Sequence, residues 1–358
     1  RRENLAKKIG EIRALEAKIE SPSRGLAMAD GNGVEDRVHI RGNPKTQGPL
    51  APRKLPSLIP SEKTSSFESG SGRLAIGKQL VSPTNPLFAR VIVNRLWQHH
   101  FGQGIVRTPD DFGRQGELPT HPELLDWLAG ELIRSGWSIK HMHRLLLLSQ
   151  TYQMSSHRNP AFEQLDPRNE LLHRMPVKRL EGEAVRDSLL FVSGQMDRQM
   201  FGKGPYPHLT SFMVGRGRPG HSGPLDGNGR RTVYLHIRRN FLDPFLLAFD
   251  YPIPFSTMGR RGVSSVPAQA LALLNHPLVV TMAQSWAQKE LAIPALNIEE
   301  RIDRMFESAV GHLPTRDERE QSRVFLEEQT RFHRGNELQA WADFAHVLFN
   351  SKEFLFIN

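Results

Sequence analysis

The densest set of groups able to do chemistry lies around the loop Thr108-Pro-Asp-Asp-Phe-Gly113, where Asp110 and Asp111 precede Glu117 and His121. Carboxylates close to an imidazole are what general acid–base catalysis, or the binding of a hard cation, requires. Loops also use Asp to accept backbone hydrogens, so a local structural role competes with the catalytic one. Just upstream, the helical stripe Leu87, Phe88, Val91 and Ile92 runs one turn further into Asn94 and Arg95. Polar groups on such a stripe must be paired or face a cleft, which makes both candidates for binding.

Two further constellations are built on arginine. After Pro176, Arg179, Glu183, Arg186 and Asp187 stand three or four residues apart, the spacing of a charged ridge along one helix face. Asp187 also falls on the apolar stripe of Val177, Leu180, Ala184 and Phe191, so a buried ion pair is expected there, with a substrate clamp as the alternative. Between Met196 and Gly262 ten basic residues face four acids, supplying +6 of the chain's net +9. Arg231, Arg238 and Arg239 lie in this stretch, and guanidinium forks suit sulfate or carboxylate because they bind two oxygens at once. An anion is therefore sought there first.

Other chemistries are excluded or left without a candidate. The chain has no cysteine, which removes disulfides, thiolate metal sites, haem-attachment motifs and cysteine nucleophiles together. His99 and His100 are adjacent and His141 and His143 two apart, whereas a zinc helix sets its histidines four apart; no metal site is expected. The letters Asp111-Phe-Gly carry no kinase meaning without a Gly-rich loop, a strand lysine and a catalytic loop. Gly215-Arg-Gly-Arg-Pro-Gly220 sits in a loop rather than after a strand, and no serine occupies a nucleophile elbow. The longest aliphatic run, Leu145–Leu148, falls far short of the roughly 18 residues a membrane helix needs.

The elements that must position these groups follow from punctuation. Leu5, Ile9, Ile12, Leu15 or Glu16, and Ile19 recur at helical spacing, so residues 1–20 are expected to form an amphipathic helix continuing from an upstream segment. With no apolar core and no cleavage site this opening is no signal peptide, and without an initiator Met it reads as part of something longer. Residues 21–84, rich in Gly, Pro and Ser, read as an extended linker or wrapping arm with one short strand at Arg37–Arg41. From 85 to 358 helix starts recur: Asn85 with Pro86, a capping box at Thr120–Glu123, Ser138, Pro176, Pro267, Pro277 and a second box at Thr315–Glu318. The basic stretch 196–262 interrupts them with a strand at Arg231–Ile237 and a short apolar helix near Phe241–Phe249. The fold class expected is mainly α, an irregular multi-helix domain with a small β element and long loops.

The segments NPLFARVIVNRLWQHHFGQGIV, TPDDFG, HPELLDWLA, SGWSIKHMHRLL, RLEGEAVRDSLL, RRTVYLHIRRN, VPAQALALLNHP and WADFAHVLFNSKEF, in this order from Asn85 onward, resemble the C-terminal domain of unknown function, number 1553, of planctomycete exported proteins. RVHIRGNP resembles that family's lead-in. The resemblance implies a periplasmic or extracellular multidomain protein carrying a cytochrome c module and a second domain of unknown function upstream. Haem c is then expected in that upstream module and no cofactor in this chain, whose partners are the upstream domains. The family supplies no list of catalytic residues.

Joined to the residue chemistry, this gives a leading expectation: a module that recognises or processes an anionic polysaccharide through Arg95, Arg179, Arg231, Arg238 and Arg239. One alternative is a stand-alone acid–base enzyme with Asp110, Asp111 and His121 beside Arg95 or Arg239. Others are a scaffold for the partner domains, or nucleic-acid binding supported by charge alone.

Overall fold

Prolines and capping side chains cut the chain into short helices; the computed structural model describes residues 8–12, 14–15, 27–54 and 70–357. The chain divides into two compact units, 1–86 and 87–358.

In the first unit, strands β1 (Asp36–His39) and β2 (Gln47–Ala51) pair antiparallel, with Asp36 opposite Ala51 and His39 opposite Gln47. The strand expected over Arg37–Arg41 ends at His39, because Arg41 takes a left-handed backbone (φ 55°) inside the turn that reverses the chain. Arg53 ties the hairpin down, its Nε donating to Glu35 Oε1 (3.0 Å) and its Nη1 to the Gly70 carbonyl (2.9 Å). Helix α1 (Arg73–Leu80) follows. Of the opening helix, 8–12 and 14–15 are helical with Ile9, Ile12 and Leu15 exposed, while Leu5, Glu16 and Ile19 lie outside the described residues.

The second unit begins with α2 (Phe88–Phe101), α3 (Pro122–Arg134), α4 (Ile139–Leu147) and α5 (Pro160–Leu165). Val93, Trp97 and Phe101 repeat every fourth residue on α2, as do Leu125, Ala129 and, one position short, Leu132 on α3; with Met142 and Leu146 of α4 they form one buried cluster. Trp97 and Phe101 meet ring to ring at 4.2 Å. Two expected starts differ in detail. Helix α2 begins at Phe88 rather than Pro86. At α3 the cap position is His121, and Thr120 donates both its amide and its hydroxyl to the Ile105 carbonyl, so no capping box forms.

A second cluster is built by α6 (Gly182–Ser193), α7 (Pro244–Ala248), α8 (Pro267–Asn275), α9 (Pro277–Leu291), α10 (Ile298–Val310), α11 (Arg316–Phe332), α12 (Glu337–Phe349) and α13 (Lys352–Leu355). Its centre is Trp286, fully buried and stacked on Phe349 at 5.1 Å. Capping boxes start α10 (Asn297 with Glu300) and, as expected, α11 (Thr315 with Glu318). The fold is mainly α, as its sequence indicates, with two small sheets among the described residues.

Two segments depart from expectation for identifiable reasons. The helix expected from Pro176 begins only at Gly182, because β3 (Lys178–Arg179) pairs antiparallel with β4 (Phe356–Ile357) and the Leu180 amide donates to the Leu355 carbonyl. Arg231–Ile237 is no strand; Thr232–Tyr234 forms a 3-10 turn. The turn satisfies itself rather than pairing as a strand, the Tyr234 and Leu235 amides donating to the carbonyls of Arg231 and Thr232, and side chains of α6 hold it at its start. Arg186 donates to the carbonyls of Asp226 and Arg230 and to the Thr232 hydroxyl, while Asp187 accepts the Thr232 amide (2.7 Å).

Replacing Trp286 by Ala removes an indole from this closely packed centre, and a cavity of that kind costs about 3–5 kcal/mol. Chemical denaturation is expected to show that loss.

Candidate functional site

Glycines at the end of α2 open the site. Gly102 terminates the helix in a left-handed conformation (φ 81°), and the chain then turns so closely past Asn94 that a Cβ on Gly104 would sit 2.8 Å from its Oδ1. Asn94 is fully buried, donating to the Val106 carbonyl (3.0 Å) and accepting the Val106 amide (2.8 Å). It sets the course of the loop rather than meeting a ligand.

That loop, the segment 156–181 and the segment 249–263 enclose a cleft of ≈ 870 Å³. Its lining carries nine arginine or lysine side chains against three carboxylates, Glu170, Glu181 and Asp250. Several of these cations are held by acids. Arg107 contacts Glu170 at 2.8 Å, Arg174 contacts Glu163 at 2.6 Å, and Arg261 reaches both Glu181 (3.1 Å) and Glu183 (2.7 Å). Arg95 lies 3.8 Å from Asp110. Arg158, Arg260 and Lys178 form no close ion pair with a carboxylate among the described residues; Lys178 donates to the His99 carbonyl, and burial pulls its pKa below the ordinary lysine value against the opposing, more distant effect of Glu181. The cleft therefore has a surplus of positive charge.

Arg179 is the buried member, 8% exposed, with its backbone fixed by the β3–β4 pair and its guanidinium 5.7 Å from the Phe249 ring centre. Its Nη2 donates to Asp250 Oδ2 (2.6 Å), whereas Nε and Nη1 have no partner among the described residues. Asp250, itself at φ 61°, also accepts the amide (2.9 Å) and hydroxyl (2.8 Å) of Ser264. Burial pushes the Asp250 carboxyl up, but the two Ser264 hydrogen bonds and Arg179 outweigh it and hold its pKa below the usual carboxylate range. At the other end of the same segment Gly259 is clamped between Asp110 Oδ2, which accepts its amide (2.7 Å), and Gln98 Nε2, which donates to its carbonyl (3.0 Å).

Of the residues singled out in the sequence, Arg95, Arg179 and His121 line this cleft, and Glu183 and Asp110 border it through Arg261 and Arg95. Asp111 accepts the Gly113 amide (2.7 Å), and His121 Nδ1 contacts the Thr120 hydroxyl (2.9 Å). No hydrogen bond joins His121 to either aspartate among the described residues. Asp187 and Arg231 line a separate cavity of ≈ 760 Å³ with His312 and Glu353. Arg238 lies over the Tyr206 ring (5.2 Å), and Arg239 is exposed outside both linings. Among the described residues no group of three or more His, Asp or Glu is placed to hold a metal ion, and no helix is long and apolar enough to cross a membrane.

Sequence reasoning missed Gln98, Arg107, Arg158, Arg168, Arg174 and Lys178. No local charge signal marks Arg158, Arg168, Arg174 and Lys178, since the segment 156–181 mixes its basic residues with Glu163, Asp166, Glu170 and Glu181. It also missed a contact between His100 Nε2 and His143 Nδ1 (2.8 Å) joining α2 to α4; burial, then His143, Lys178 and His99, lower the His100 pKa.

Because the Asp250 pKa is lower in the native state, its contribution to stability is complete above the unfolded value, near pH 4, and is lost as pH falls through the native value. Denaturant titrations from neutral pH down to about pH 3 are expected to show a shallower acid decline for Asp250→Asn than for the unmodified chain, from a lower starting stability.

No curated protein and no solved structure matches this chain. Residues 72–326 match the family described as PSD1, protein of unknown function (DUF1553), a span that contains every residue of the cleft lining. The chain belongs to that family.

Proposed function

We propose that this chain is the anion-recognising module of an exported multidomain protein, and that the cleft of its second unit binds an anionic polysaccharide. One observation carries the reading. Arg158, Arg260 and Lys178 share a cleft in which the neighbouring carboxylates already have other partners, so the remaining charge is left for a ligand. Like charges gathered in a concave surface reinforce one another's field and draw in an opposite charge. A cleft of ≈ 870 Å³ has room for several sugar units.

The resemblance noted in the sequence supports the rest of the proposal: a periplasmic or extracellular location, upstream domains as partners, and haem c carried by one of them. In this reading the chain contributes recognition, with Arg95 and Arg179 among the binding groups. Asp110 and Gln98 hold the 250–264 segment in place for it.

The test is equilibrium binding of polygalacturonate, neutral dextran and duplex DNA at two salt concentrations. Polygalacturonate is expected to bind, to weaken as salt rises, and to lose roughly tenfold or more in affinity on combined Arg158→Glu and Arg260→Glu substitution. Both residues are exposed, so the fold tolerates the change. Equal binding of dextran, or indifference to the double reversal, would sink the proposal; tighter binding of DNA than of the glycan would turn the reading toward nucleic acid.

A further inference from the structure

Away from the cleft, the chain from Arg198 to Leu225 carries four arginine or lysine residues and no carboxylate. Within it, residues 207–223 form a loop closed at its neck. There the Gly223 amide donates to the Pro207 carbonyl (3.0 Å), the Leu209 amide donates to the Ser222 hydroxyl (2.8 Å), and Pro207 and Leu209 are buried. The far end of the loop holds a definite shape. The Met213 amide donates to the Thr210 carbonyl (3.2 Å) and the Val214 amide to the Phe212 carbonyl (2.9 Å), while Arg218 reaches back with Nε to the Met213 carbonyl (2.6 Å). These bonds gather Phe212, Val214 and Arg218 at one tight turn. Phe212 is 91% exposed and Val214 76%, and Arg216 and Arg218 are exposed beside them. None of these four residues lines the cleft.

A lone exposed apolar side chain needs no explanation, but two on one hydrogen-bonded tip, with two cations and no acid nearby in the chain, set definite demands on a partner. With Phe212 almost wholly in solvent, the tip encloses nothing itself, so the partner must take it in. A neutral apolar surface buries Phe212 and Val214 and leaves the guanidiniums uncompensated. An anionic polymer pairs the arginines and leaves the apolar side chains in water. An anionic lipid surface answers both, because its headgroups meet the arginines while the layer just beneath them takes up the apolar tip. We propose that the 210–218 tip docks this chain on a bilayer bearing anionic phospholipid, with Phe212 and Val214 inserted at headgroup depth and Arg216 and Arg218 against lipid phosphate. Two apolar side chains and two cations make a weak, reversible anchor. The docking surface is independent of the cleft and of what the cleft binds.

Because the chain has no cysteine, Ser211→Cys provides a single position next to the tip for an environment-sensitive fluorophore. Binding is measured by co-sedimentation with vesicles of phosphatidylcholine alone and of equimolar phosphatidylcholine and phosphatidylglycerol, at two salt concentrations. The full chain is expected to bind the phosphatidylglycerol vesicles, to bind them less as salt rises, and to shift the fluorophore's emission to the blue. Combined Phe212→Ser and Val214→Ser substitution is expected to lower that binding about tenfold and abolish the shift, and Arg216→Gln to lower it about fivefold. All three side chains are exposed, so the fold tolerates their loss, and polygalacturonate binding by the Phe212/Val214 variant is expected to stay unchanged.

No binding to phosphatidylglycerol vesicles overturns the proposal and turns the tip toward a protein partner. Binding that the Phe212/Val214 variant keeps in full, with the fluorophore still in water, overturns it as well, since the chain's net charge of +9 then acts without the tip. Equal binding to the two kinds of vesicle removes the arginines' part and with it the proposal.

Discussion

A guanidinium buried with a single carboxylate for company is the constraint on which the cleft depends. Removing Arg179 from water costs several kcal/mol unless the charge is paired in good geometry, and Asp250 supplies that pairing through one nitrogen at 2.6 Å. Asp250 is fit for the task because the amide and hydroxyl of Ser264 keep it ionised despite its own burial. Its left-handed backbone turns the chain sharply at that point, as a residue that favours turns can. Arg179 cannot withdraw from the arrangement, since the pairing of β3 with the C-terminal β4 fixes its backbone. Two segments far apart in sequence, 178–179 and 356–357, thus meet to place one charge.

The cleft stands where the two apolar clusters of the second unit contribute different walls. The end of α2, anchored by Trp97 and Phe101, gives one side; β3 and the 249–263 segment, which leads out of α7, give the other. Rigid packing behind each wall lets loops with few contacts of their own hold charged groups in place. Gln98 and Asp110 on one side, and Arg179 on the other, pin the 249–263 segment near both its ends. An assembly of this kind pairs several of its cations internally and leaves Arg158 and Arg260 to present positive charge to the cleft.

Much of the fold was legible in the sequence because helix signals are local. Thr315 with Glu318, Ser138, Pro267 and Pro277 stand at helix starts where their side chains or ring constraints act over a single turn. The failures lie where distant residues decide. Val177 and Arg179 carry helical spacing, yet strand pairing with Phe356 and Ile357 overrides it. Arg231–Ile237 has the β-branched and aromatic character of a strand, yet its amides turn back on Arg231 and Thr232 while Asp187 takes the Thr232 amide. The candidate site was read less well for the same reason. Charge counted along a window pointed to residues 196–262, but Arg230 lies beside Asp197, Arg231 beside Asp187 and Arg238 over Tyr206, whereas the cleft draws its cations from three separate segments. Asn94 shows the limit of a polar residue on an apolar stripe: it must be paired or face a cleft, and here it is paired.

The central claim is that a ligand anion reaches the exposed cations of the cleft, Arg158 and Arg260. Nuclear magnetic resonance of arginine Nε groups during titration with oligogalacturonate reads that event directly, with Arg158→Lys and Arg260→Lys variants to assign the two signals. The account predicts that the Arg158 and Arg260 Nε resonances move in step with saturation and that their hydrogens exchange more slowly once bound. A resonance that stays put while binding saturates would contradict it.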